Sequence, residues 1–132
     1  MKVFFIIFAT LIIIYFSFTS CEPPITDNKS IIFPDSNVSF IHHIQPFMRV
    51  TCSYQGCHSN ESRAGGRAMV DYSSMLFDVA NLGLVVPKDP DRSILCMMLE
   101  YKLPHTGFIY WTSTENQRKG IRKWISEGAE DN

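Results

Sequence analysis

The sequence predicts an all-α fold, a bundle of four to five short helices joined by long loops. Three observations carry this. Apolar residues recur at helical spacing in separate stretches, capping residues stand at the starts of those stretches, and hardly any run alternates polar and apolar residues as a half-buried strand would. At 132 residues the chain has room for one domain.

Residues 1–20 lie outside that bundle. MKVFFIIFATLIIIYFSFTS opens on Lys2, runs almost unbroken through apolar residues from Val3 to Phe16 and ends in small polar ones, the pattern of a secretory signal. A spanning helix needs about 20 apolar residues, more than this run supplies. The signal runs into Cys21, and FTSC resembles the lipobox of bacterial lipoproteins, with Phe18 where an aliphatic residue is usual. That resemblance implies a Cys21 lipidated as the new N-terminus, and a protein exported to the periplasmic or cell-surface side and held to a membrane by acyl chains. Removing residues 1–20 takes away one lysine, so the net charge moves from −1 to −2. With no basic block, nothing favours nucleic acid. Residues 21–37, rich in prolines and polar side chains, read as a flexible linker, and the folded domain is expected over 38–132.

Within that domain the elements follow in order. Phe40, Ile44, Phe47 and Met48 share one helical face, Ser39 can cap its start, and Pro46 makes its first turns irregular. A loop with Gly65-Gly66 follows, then a short helix over 73–82 stopped by Gly83. Ser93 or Asp91 can cap the next helix, which buries Ile94, Leu95, Met98 and Leu99 and ends before Pro104. Thr114 with Gln117 forms a capping box for the last helix. Ile121, Trp124 and Ile125 make its buried stripe, and Gly128 closes it. Helices this short are marginal alone and need something to pack around, which a flat apolar cofactor would supply.

The chemistry gathers at TCSYQGCHSN. Cys52 and Cys57 enclose four residues, and His58 follows directly. In an oxidising compartment such a pair can form a disulfide, leaving His58 an ordinary surface residue. A structural zinc site would need four ligands, and one pair is visible. The third possibility is covalent haem: two thiols reach two vinyl groups while the adjacent imidazole reaches the iron. The usual attachment spacing is two residues, but a four-residue spacer containing Gly56 can bulge outward and still bring Cys52 back. Apart from Cys21 there are three cysteines (Cys52, Cys57, Cys96), so at most one disulfide can form among them.

From Val38 to Ala129 the chain resembles the small c-type cytochrome domains of exported bacterial proteins, including their C-x4-C-H variant. The resemblance rests on VSFIHHIQPFMRVTCSYQGCH, GGRAMVDYSSML, VVPKDPDRSILCMMLEYKLP and RKWISEGA, in that order. It implies a cytochrome c-like bundle around one covalently attached haem c. Cys52 and Cys57 would be the attachment sites, His58 the proximal iron ligand, and Ile44, Phe47, Trp124 and Ile125 the packing between first and last helices. The family usually places a methionine before a proline as second axial ligand; here Leu103 stands before Pro104. His105 is the leading substitute, with Met97 or Met98 next and His42 or His43 behind, and an open distal position is the remaining option.

The expected function is therefore a membrane-tethered monohaem electron carrier with an unidentified redox partner protein. No acid–base pair or nucleophile constellation suggests a substrate-converting enzyme. Two other readings stand beside it: a non-haem helical lipoprotein with a Cys52–Cys57 disulfide, acting as an interaction module, and a five-coordinate haem sensor or peroxidase.

Overall fold

The structure, a computed structural model, describes residues 27–105 and 113–132. The signal segment, Cys21 and residues 106–112 of the aromatic loop lie outside the described residues. The fold is all-α, as expected. Its helices are α1 (Gln45–Thr51), α2 (Tyr72–Phe77), α3 (Ile94–Leu99) and α4 (Glu115–Glu127). No strand occurs among the described residues, and no helix among them is long and apolar enough to cross a membrane.

Helix α1 is entered through a π-turn, Phe40–Ile44, capped as expected by the Ser39 side chain, which accepts from the His42 N–H. The His43 ring turns back, its Nδ1 accepting from the Ser39 N–H at 3.0 Å. Pro46 explains the π-turn. Proline offers no N–H and its ring crowds the carbonyl four residues back, so the preceding turn widens to bonds five residues long, as from Gln45 N–H to Phe40 O.

Helix α4 follows its sequence signals. Thr114 and Gln117 bond reciprocally as a capping box, Ile121, Trp124 and Ile125 are buried, and Gly128 ends the helix at φ 124°. Ile44, Phe47, Trp124 and Ile125 lie in one apolar cluster, where Phe40 packs on Trp124 with ring centroids 5.7 Å apart. Residues 129–132 then cross back over the start of the π-turn. Asn132 accepts the N–H of Phe40 through Oδ1 at 2.9 Å and that of Ile41 through its main-chain oxygen at 3.1 Å. Two N–H groups that a helix start leaves open are thereby satisfied from far along the chain, 92 residues away in the case of Phe40.

Three expectations are corrected. The linker expected over 21–37 gives way, from residue 27 on, to a packed strap. Ile31 and Phe33 are buried, and Phe33 fills the space beside Gly120, where a Cβ would meet its ring at 2.2 Å. The Asn116 amide pairs with both main-chain groups of Phe33, and the buried Gln117 donates to the carbonyls of Asn28 and Ile31. Two anchoring apolar residues suffice to dock an aperiodic segment. The helix expected over 73–82 is two pieces. Asp71 caps α2, and Asp78 is extended at ψ 127° while its carboxylate accepts from Ala80 N–H and starts a separate 3-10 turn, Val79–Asn81. Neither Ser93 nor Asp91 caps α3 through its side chain. The Ser93 hydroxyl accepts from Val86 N–H and donates to Asp89 O, and Asp91 pairs with Arg122.

Candidate functional site

Between α1, α3 and the loop that joins α1 to α2 lies a cavity of about 680 Å³. That is within the usual range for cofactor pockets, roughly 300–1,000 Å³. Cys52, Cys57, His58 and His105 all line it, as do Met69, Leu84, Ile94 and Met98. Four of the sequence-predicted site residues are thus brought together. Cys21 lies outside the described residues. Among the other candidates for the distal position, Met98 reaches the cavity wall, whereas Met97, His42 and His43 are not in it.

Backbone bonding makes the shape. The His58 N–H reaches back to Cys52 O at 2.9 Å, closing the Cys-x4-Cys-His segment on itself. Tyr54, Gln55 and Gly56 are pushed out to solvent, and Gly56 takes φ 88°, a conformation costly for any residue with a Cβ. The four-residue spacer therefore bulges outward. Further on, Ala64 N–H bonds Cys57 O and Met69 N–H bonds His58 O, both at 2.9 Å.

The electrostatics separate the groups. Cys52 and Cys57 are free thiols. Burial pushes Cys52 up to about 12, against a hydrogen bond with Thr51 that lowers it, and Cys57 nearby adds to the rise. The Tyr54 hydroxyl is raised above its usual range, mainly by its hydrogen bond with Cys57.

His58 is aimed rather than merely placed. Its Nδ1 lies 3.2 Å from the main-chain oxygen of Arg67. A carbonyl can only accept, so this contact selects the neutral ring's Nδ1–H tautomer, whose Nε2 carries the lone pair, the arrangement usual for metal-bound histidines. The His105 ring faces His58, centroids 5.9 Å apart and planes 53° from parallel. The described residues contain no group of three or more His, Cys, Asp or Glu side chains set for a metal ion, but a porphyrin iron takes only two protein ligands.

These residues fit a covalently held haem: paired thiols, an oriented imidazole beside them, a second imidazole across the gap, and an apolar cavity. Sequence reasoning missed Arg67 as the residue that orients His58, and Leu84 and Ile94 as cavity wall. The Gly-Gly before Arg67 is the signal that could have marked a return of the chain to His58. No protein-family model matches the chain, and neither curated proteins nor solved structures provide a match.

Proposed function

We propose that this protein is a membrane-tethered, monohaem c-type cytochrome that acts in electron transfer. One observation carries the reading: Cys52, Cys57, His58 and His105 converge on one largely apolar cavity, with His58 Nδ1 held 3.2 Å from the Arg67 main-chain oxygen. Cys52 and Cys57 would hold the haem covalently through their sulfurs. His58 and His105 would supply the protein ligands to its iron. The bound haem supplies an iron that cycles between ferric and ferrous states. The chain's part is to fix the imidazoles, keep the cavity dry through Leu84, Ile94, Leu95 and Met98, and hold the buried Cys52 thiol in its neutral form. Two imidazole ligands would set a lower reduction potential than a histidine–methionine pair. The Cys21 anchor would keep the domain at a membrane surface.

The test is expression of the full chain with cytochrome maturation machinery. Expected are a mass gain of one haem, retained under denaturing conditions, and a low-spin six-coordinate spectrum. His58→Ala and His105→Ala should each abolish the low-spin character. Absence of covalent haem by spectrum and intact mass would refute the reading. Rapid carbon monoxide binding by the reduced protein would refute the second imidazole and favour a five-coordinate sensor.

A further inference from the structure

We propose that Arg67 is the anion anchor of the cavity, binding a propionate carboxylate of the haem with its guanidinium while its main-chain oxygen holds His58. This rests on the haem reading of the site and adds how the cofactor is recognised and turned.

Arg67 lines the cavity, and its Nη1 is buried with no hydrogen-bond partner. A guanidinium cannot shed its proton to escape burial, and a buried charged donor without an acceptor is costly. The group therefore calls for an anion. The protein does not provide one there: among the described residues that line the cavity none is Asp or Glu, and Arg67 contributes the only permanently charged side chain. The neighbouring arginine is already engaged, since Arg63 pairs with Asp78 at 3.0 Å on the outer side of the loop. A carboxylate arriving with the ligand is the natural complement, because the planar guanidinium fork matches it in both charge and shape.

The backbone ties this contact to the iron site. Arg67 is extended at φ −110° and ψ 133°, immediately after the Ala64–Gly66 turn, and its oxygen receives the His58 Nδ1 bond. One residue thus touches both the anionic edge of the ligand and the imidazole that would bind its metal. A ligand with iron but no carboxylate would engage only half of it.

The discriminating measurement is a Soret titration of the detergent-solubilised full chain, thiols reduced, with haemin and with haemin dimethyl ester. The expectation is that the wild type prefers haemin by about tenfold or more, the scale of one charge-assisted hydrogen bond. Arg67→Gln should weaken haemin to the level of the ester and leave ester binding unchanged. Arg67→Lys, which keeps charge but not the fork, should fall between. Equal affinity of the wild type for acid and ester would overturn the proposal, as would an Arg67→Gln variant that binds haemin as tightly as the wild type. If Arg67→Gln loses the ester as well, the fold has been damaged and the wild-type comparison alone decides. Failure of the wild type to bind either compound removes the haem reading itself, an outcome distinct from loss of the acid preference.

Discussion

Two segments without periodic pattern, the strap from 27 to 37 and the loop from 53 to 70, are held in opposite ways. Side chains hold the strap: Phe33 sits beside Gly120 and edge-on to Phe47, with the Asn116 and Gln117 amides clamping its main chain. The loop is held chiefly by main-chain bonds, from His58 to Cys52, Ala64 to Cys57 and Met69 to His58. The lesson is that an irregular segment can be fixed by a few buried anchors or by its own backbone. The second way leaves side chains such as Cys57, His58 and Arg67 available for chemistry.

The largest effect expected is on the strap. Phe33→Ala should destabilise the protein by about 3–5 kcal/mol in urea unfolding, the usual range for a buried phenylalanine. A loss below 1 kcal/mol would return residues 27–37 to the status of a linker.

Next in size is an alkaline dependence at the head of the loop. Cys52 is raised from 9.0 to about 12, chiefly by burial, so above pH 9 the unfolded chain gives up this proton before the folded one does. The stability due to the neutral thiol is complete below pH 9 and is lost as pH rises toward 12. Its slope is about 1.4 kcal/mol per pH unit, so from pH 9 to 10.5 Cys52→Ala apoprotein should lose about 2 kcal/mol less than the wild type. Covalently loaded protein should resemble the variant, since a thioether carries no proton. Equal alkaline slopes in the variant and wild-type apoproteins would contradict the burial of Cys52.

Two glycine substitutions separate the modes most cleanly. At Gly120 an added Cβ collides with Phe33, whereas at Gly56 it meets nothing within 4 Å but must adopt φ 88°. Gly120→Ala should cost about 1–3 kcal/mol by overpacking, and much of that should vanish in a Phe33→Ala background. Gly56→Ala should cost about 1–2 kcal/mol from backbone conformation and add independently of Phe33. Coupling of Gly56, rather than Gly120, to Phe33 would reverse the assignment. The smallest effect belongs to the exposed Arg63–Asp78 pair, where Arg63→Ala should change stability by under about 1 kcal/mol and less in high salt.

Much of the frame was legible because helix signals are local. Ser39, Thr114, Gln117 and Gly128 act within a turn of where they stand, and the period of Ile121, Trp124 and Ile125 reports burial directly. Cys57-His58 was legible for the same reason, being adjacent. What escaped depends on partners far along the chain: Phe33 on Gly120, or the Arg67 oxygen under His58. Ser93 stood at a valid cap position, yet its hydroxyl went to Val86 and Asp89, because tertiary bonds competed with the local one. Asp78 divided a helix whose apolar pattern ran on, since its carboxylate could start a new turn.

The contact of Asn132 with Phe40 and Ile41 sets an order of events in synthesis. A chain leaving the ribosome presents its N-terminal part first. The helix that leads into Cys52 is finished only when residues 129–132 arrive to satisfy its opening N–H groups. Until then the segment that carries Cys52 lacks part of its frame. The frame that leads into Cys52 is therefore closed by contacts far along the chain rather than by its own turn alone.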